Sequence, residues 1–407
     1  MTLAVRLKHV ARIAVSNVDK KSVDGEQPVR LCNYTDVYYH DRITENLEFM
    51  KATASAEQVR DFRLVPGDVL ITKDSETADD IAVPALVEAS ADDLVCGYHL
   101  ALIRPDQRLV DPRFLFWTLV STTAREWFGT QATGVTRFGL RSQSIADARI
   151  RLPPLAEQRA IPDFLDAETA RIDVLIEKKR QMTVLARERA RAIDDAVLWS
   201  DVASEIPLMH AVQMQRPVMY GIVLPGPDVG EGGIPIVKGG DVAARLSLDR
   251  LARTTLEIER PYARARLRPG DLLFAIRGGV GDAAIVPPEL EGANITQDVA
   301  RIAPAAEFAP EWLLHVLRSE TFQRRARELV RGATITGLNI RDLERIRIPW
   351  AGRTRQDADL QVLRPVAAAS ERLEHRLERQ ISLLREHRQA LITAAVTGEL
   401  DIAKAAA

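Results

Sequence analysis

The 407-residue chain contains the residue types of catalysis but not their spacings. Asp111-Pro112-Arg113-Phe114 is only superficially like the Asn/Asp-Pro-Pro-aromatic loop that base methylation needs. Gly278-Gly279-Val280-Gly281 follows a β-type run, as a phosphate-cradling loop would. But Asp282 to Val286 returns as β-type sequence rather than a helix, so a hairpin turn is expected there. No Gly-x-x-x-x-Gly-Lys-Ser/Thr motor loop is present, and Glu177-Lys178-Lys179 reads as a charged helix face rather than a nuclease centre. His9, His40, His99, His210, His315, His375 and His387 show no metal-ligand spacing. Cys32 and Cys96 have no Cys-x-x-Cys arrangement, which argues against zinc. The pattern is that of a binding protein rather than an enzyme.

The polar groups suit a different chemistry. Reading base edges in the major groove takes Arg, Lys, Asn, Gln or Thr on loops. Thr136 and Arg137 lie in the glycine-flanked stretch Thr133 to Leu140, and Thr334, Thr336 and Asn339 lie in its counterpart Gly332 to Asn339. Each stretch precedes a short helix, whose first N–H groups could serve a phosphate or simply be capped. Lys73 and Arg277 each follow a strand that comes after Gly-Asp, and are taken as equivalent basic residues. Lys238, Tyr98, His99 and Gln297 complete the candidate DNA-contacting set. Two arginine clusters stand out. Arg260, Arg264, Arg266, Arg268 and Arg277 are opposed only by Asp271, and Arg318, Arg324, Arg325, Arg327 and Arg331 only by Glu320 and Glu328. The plain reading of such clusters is a solvated face.

Totals set the frame for these groups. A net charge of −2 argues against a non-specific DNA coat but not against a specific reader, because local patches matter more than sums. The chain is long enough for two or more domains, and 46% hydrophobic with 28% charged residues is ordinary for a globular protein. No apolar run would span a membrane, no secretion signal is seen, and two unclustered cysteines suit a reduced, cytoplasmic setting.

The elements that must position the candidate residues come in duplicate. Pro28 to Val37 resembles Pro235 to Val242, Leu64 to Asp68 returns as Leu267 to Asp271, and Leu102 to Pro105 pairs with Arg301 to Pro304. Pro112 to Thr122 matches Pro310 to Glu320, Gly134 to Leu140 matches Gly332 to Leu338, and Arg149 to Pro153 matches Arg345 to Pro349. Offsets run from 196 to 207, and six matches in one order mark a duplication. Each copy starts with short β-type runs broken by Pro-Gly-Asp and Gly-Gly turns and ends in a long helical pattern. The first such helix has Pro162 near its start, where a first-turn proline is tolerated. If helical throughout, it runs roughly 60 Å. One apolar seam is expected at Leu165, Ile172, Lys179, Ala186 and Ile193 with Ile161, Glu168, Leu175, Met182, Arg189 and Ala196. The other helix gives Leu363, Leu377, Leu384 and Leu391 with Val366, Leu373, Gln380, His387 and Ala394. Neither helix can bury such a stripe alone, so the expectation is an antiparallel coiled-coil pair.

Leu152 to Asp173 (LPPLAEQRAIPDFLDAETARID) resembles the first conserved region of the specificity subunits of type I restriction–modification systems. Ala394 to Asp401 is similar to the family's second conserved region, and the Gly-Asp turns and the loops before Leu140 and Leu338 resemble its target recognition domains. The second copy departs from the pattern, reading Pro349-Trp350-Ala351-Gly352-Arg353-Thr354-Arg355-Gln356. The resemblance implies an α+β protein with two α/β target recognition domains in tandem, separated by a long antiparallel helical pair with pseudo-twofold symmetry. Its expected segments are 1–152 and 205–350 for the recognition domains, and 153–204 and 351–407 for the helical regions. It further implies a non-catalytic DNA-binding subunit that reads a bipartite site in double-stranded DNA, the helices setting the spacer. Two methyltransferase subunits and two restriction subunits would dock on it. S-adenosylmethionine, ATP and magnesium would then belong to those partners, leaving no cofactor for this chain.

Overall fold

The computed structural model describes residues 3–89, 91–200, 202–243, 246–330 and 337–402. The chain divides into two compact units, Met1–Lys179 with Arg379–Ala407, and Arg180–Glu378.

In the first unit a five-stranded sheet runs in the order Ala11–Val15, Leu100–Pro105, Val69–Thr72, Pro84–Val87, Arg42–Ile43. Only the last pair is parallel. A three-stranded sheet orders Met50–Ala54, Gln27–Cys32 and Leu94–Cys96. Val69 and Ile71 face one core, and Leu70 faces another that holds Cys32, Leu100 and Leu102. A strand buried on both faces needs no polar alternation, which is why this segment reads as a continuous apolar run.

The second unit repeats the plan. Met219–Tyr220, Val299–Ile302, Leu272–Ala275 and Ala283–Ile285 form one sheet, and Arg253–Thr254, Ile234–Val237 and Asn294–Ile295 the other. Leu272 and Phe274 face one core, Leu273 and Ala275 the other. Gly278 to Gly281 lies between the antiparallel strands Leu272–Ala275 and Ala283–Ile285, as a hairpin turn should.

In both copies a buried aspartate closes the Pro-Gly-Asp turn. Asp68 Oδ2 accepts from Val65 N at 2.9 Å, and Asp271 Oδ2 from Arg268 N at 2.8 Å. Each carboxylate also takes a two-pronged guanidinium, from Arg104 (2.7 and 2.7 Å) or Arg216 (2.7 and 2.6 Å). The glycines before them have φ of 94° and 85°, a conformation that carries no penalty only for glycine.

Short ribbons tie each domain's first strand to the strand before its helix: Leu3–Arg6 with Arg149–Leu152, and Glu205–Pro207 with Arg347–Pro349. The long helices follow, Leu155–Leu198 and Arg353–Thr397. Pro162 sits two turns into the first helix rather than in its first turn. The helix continues through it.

Each helix is anchored by one buried glutamine. Gln158 accepts from Asp111 N (2.9 Å) and donates to Leu109 O (3.0 Å) and Pro153 O (2.8 Å). Gln356 accepts from Ala309 N (2.7 Å) and donates to Glu307 O (2.9 Å) and Ala351 O (2.7 Å). The second copy thus lacks most of the conserved motif but keeps the side chain that holds the helix to its domain. A second tie lies at positions 198 residues apart with the charges exchanged: Arg113 donates to Asp166 at 2.5 Å, and Arg364 to Glu311 at 2.6 Å.

The helices pair antiparallel within each unit. In the first, Arg388 lies 3.3 Å from Asp173 and Lys179 donates to Gln380 at 2.7 Å. In the second, Arg187 donates to Glu374 at 2.9 Å and Arg355 to Val197 O at 3.1 Å. Burial confirms the seam through Leu165, Ile172, Lys179, Ala186 and Ile193 but shifts its companion by one residue. The covered positions are Pro162, Thr169, Ile176, Thr183, Ala190 and Val197, while Glu168 is half-buried and Leu175, Met182, Arg189 and Ala196 are exposed. The second helix shows the same shift, to Leu360, Ala367, Glu374, Ile381, Arg388 and Ala395. A companion row three residues from the seam was expected on the wrong flank, and a heptad turned by one residue moves every side chain by about 100°.

Among the described residues, no helix is long and apolar enough to cross a membrane. Replacing Gln158 or Gln356 by Leu would leave one N–H and two carbonyls buried without partners. Each change is expected to cost about 2–4 kcal/mol in denaturant unfolding. The exposed Gln380→Leu should stay within about 0.5 kcal/mol.

Candidate nucleic-acid interface

The central strand of each unit ends in a polar corner. In the first unit, Val69–Thr72 hands over to Lys73 and Asp74. Asp74 Oδ2 lies 2.9 Å from Lys73 Nζ and 2.6 Å from His99 Nδ1. Burial opposes ionisation of Asp74, but the hydrogen bonds from His99 and Lys73 outweigh it and hold its pKa below the ordinary value. Tyr98, 41% exposed, packs against His99 with the rings tilted by 47° and 3.7 Å between centroids, and Lys73 Nζ lies 5.9 Å from the Tyr98 ring.

The loop from Thr133 to Gly139 closes on itself through Thr133 N to Gly139 O (3.1 Å) and Gly139 N to Thr133 O (3.0 Å). It docks on the corner through Leu140 N to Lys73 O (2.8 Å) and by pairing Phe138–Gly139 with Asp74–Ser75. A Cβ on Gly134 would lie 1.9 Å from Arg137 O, so only glycine permits this turn. The fold therefore gathers Lys73, Tyr98, His99, Thr136 and Arg137 into one patch, with Thr136 and Arg137 exposed. Asp74 and Tyr34 join it without having been singled out from sequence. The Tyr34 phenol is pushed up by burial and by Asp80, with the Ser75 hydrogen bond and then Arg137 pulling the other way.

In the second unit, Leu272–Ala275 hands over to Ile276 and Arg277. Ile276 N donates to Asp298 O (2.8 Å), Leu338 N to Ile276 O (2.9 Å), and Arg277 bridges to Gly337. Arg277, Gln297 and Asn339 line one open cleft of about 1020 Å³ with Tyr220, Tyr262 and Arg264. Asn339 caps the helix Ile340–Arg345 by position, but its side chain makes no capping bond and is exposed. Lys238 is exposed beside this corner: a Cβ on the next residue, Gly239, would lie 2.9 Å from Arg277 O. Thr334, Thr336 and Arg331 lie outside the described residues.

One expectation changes. Lys73 and Arg277 are not equivalent: Leu140 N binds Lys73 O where Leu338 N binds Ile276 O, and Gly139 pairs with Asp74 where Gly337 pairs with Arg277. Arg277 therefore corresponds to Asp74. A one-residue offset in a strand moves a side chain to the opposite face, so Ile276 is buried while Arg277 is exposed. The described residues of the arginine clusters are mostly exposed, as a solvated face should be, and several are ion-paired there. Arg318 donates to Ala283 O, Arg325 pairs with Glu205, Arg327 with Glu320 and Arg324 with Glu328, while Arg266 is held by the buried Glu259. Of the first cluster, Arg264 and Arg277 face the cleft.

The two corners should differ in stability. Asp74→Ala removes the shared partner of Lys73 and His99 and is expected to cost about 1–3 kcal/mol in denaturant unfolding. Arg277→Ala, in the exposed corner, should stay within about 0.5 kcal/mol. A larger loss for Arg277→Ala would make that side chain structural.

No family model matches the chain. It is 26% identical over 294 residues to the type I restriction enzyme EcoBI specificity subunit of Escherichia coli, a match covering 66% of this chain and 62% of that relative. It is 23% identical over 308 residues to the putative type I restriction enzyme MjaX specificity subunit of Methanocaldococcus jannaschii, covering 72% and 70%. A chain from a solved type I restriction–modification system superposes with a TM-score of 0.68 at 18% identity, over 98% of both chains, which shows a common fold. With its duplicated units and antiparallel helix pairing, the chain is similar in sequence to type I restriction enzyme specificity subunits and shares the fold of a solved type I restriction–modification chain.

Proposed function

We propose that this chain is the sequence-reading subunit of a type I restriction–modification complex, each unit contacting one half of an interrupted site in double-stranded DNA. The observation that carries this reading is the repeated corner. The same strand end, the same neighbouring strand start and the same glycine-containing loop come together in both units, lined by Lys73, Tyr98, His99, Thr136 and Arg137 in one and by Arg277, Gln297 and Asn339 in the other. A scaffold that only bound proteins would have no reason to keep a loop built to expose hydrogen-bonding side chains in each copy. The long helices would fix the separation of the halves, turning two weak contacts into one specific site.

The chemistry is assigned to partners. Two methyltransferase subunits would supply S-adenosylmethionine-dependent base methylation, and two restriction subunits the ATP- and magnesium-dependent cleavage. Exposed apolar residues on the first long helix favour helix-borne docking of protein partners: Val174 and Leu175 in the first unit, and Met182, Val184 and Leu185 in the second.

The test is binding by the full chain, assembled with its methyltransferase partner, to its selected DNA site. Arg137→Ala should weaken binding by about 1–3 kcal/mol, and the loss should vanish when the first half-site is already scrambled. Adding one base pair to the spacer should weaken binding at least as much. Equal affinity for random DNA, or indifference to the spacer, would contradict the reading.

A further inference from the structure

The two corners are built alike but carry opposite charge at their equivalent central position. In the first unit Asp74 lies over Gly139, where an added Cβ would meet Asp74 Oδ1 at 3.1 Å. In the second Arg277 lies over Gly337, where an added Cβ would meet Arg277 Cγ at 3.1 Å and Nε at 3.5 Å. A loop glycine is thus the floor on which each side chain rests. The neighbouring positions differ as well: from the strand registers, Tyr98 and His99 correspond to Gln297 and Asp298. Asp74 is already satisfied by Lys73 and His99 and keeps only 16% exposure. The exposed Arg277 guanidinium has no hydrogen-bond or ion-pair partner among the described residues, and it faces the cleft together with Gln297 and Asn339.

We infer that Arg277, laid along Gly337, is a specificity-determining residue that reads a guanine in the half-site contacted by the second unit, and that Asp74 denies the first unit the same contact. This rests on the DNA-reading function proposed above. A guanidinium donates in a planar fork, and guanine alone offers two adjacent acceptors, O6 and N7, on its major-groove edge. A phosphate would accept the same fork but carries no sequence information. Gly337 acts as a positioning residue: a side chain there would lift Arg277 from its floor without removing the guanidinium.

The experiment uses the full chain assembled with its methyltransferase partner and a pool of duplexes randomised at every position of both half-sites. Bound DNA is sequenced. The wild type should enrich guanine at one position of the second half-site. Arg277→Ala should lower discrimination at that position roughly 5- to 150-fold while every other preference persists. Gly337→Val should produce the same position-specific loss with Arg277 intact, and Arg277→Lys a smaller one. Unchanged thermal unfolding and unchanged first half-site preferences separate these effects from misfolding. A uniform loss of affinity with all preferences retained would reduce Arg277 to a phosphate contact and overturn the inference. So would a second half-site without a required guanine. If the wild type enriches no sequence at all, the underlying DNA-reading function fails instead.

Discussion

A helix with an apolar stripe along its whole length cannot stand alone in water, and most of this protein's architecture follows from that. The helices Leu155–Leu198 and Arg353–Thr397 each present two rows of covered side chains, and within each unit half of one helix packs on half of the other. Because they run antiparallel, each unit contains the first half of its own helix and the last half of the other. Ile161 and Leu165 share a core with Ile392, Ala395 and Val396 in the first unit, as Leu360 and Leu363 do with Leu198 in the second. Neither unit's core is complete without residues from the other repeat. The polar contacts agree. Gln389 donates to Val120 O in the first unit, while Asp195 accepts from Thr321 N, and Asp194 pairs with the buried His315, in the second.

Against that fixed framework the corners are free to vary. The elements that hold a corner in place are backbone hydrogen bonds and glycines, which impose no side-chain chemistry. The Leu140 and Leu338 amides bind equivalent carbonyls, and Gly139 and Gly337 leave equivalent space. What rests in that space is a carboxylate in one copy and a guanidinium in the other. A duplicated scaffold that tolerates opposite charges at one position can present two different contact surfaces without altering its folding.

The duplication was legible in the sequence because turns and cores are demanding. Gly67 and Gly270 need positive φ, Asp68 and Asp271 must close a buried turn, and the central strands must be apolar on both faces. The details that failed were those one residue wide. Leu175 and Met182 are apolar, so they drew the second seam to the wrong flank, although both are exposed. Lys73 and Arg277 share a charge and a place after a strand, which hid the fact that Asp74 is the true counterpart of Arg277. Periodicity alone did not resolve an offset of one. The role of Gln356 was hidden for another reason: its motif is gone, and only its three hydrogen bonds identify it with Gln158. Type and position pointed to strand ends and loops, and the structure brings Lys73, Tyr98, His99, Thr136 and Arg137 together there. Tyr34 and Asp74 join that corner without a sequence signal, one being far off in the chain and the other acidic.

The central claim is that two readers at a set separation address one interrupted site. Mapping adenine methylation across the genome of a host carrying this chain and its partner subunits tests it most directly. The account requires a two-part motif whose halves are divided by unspecified bases of one constant length. A single contiguous motif, or halves found at many separations, would contradict it.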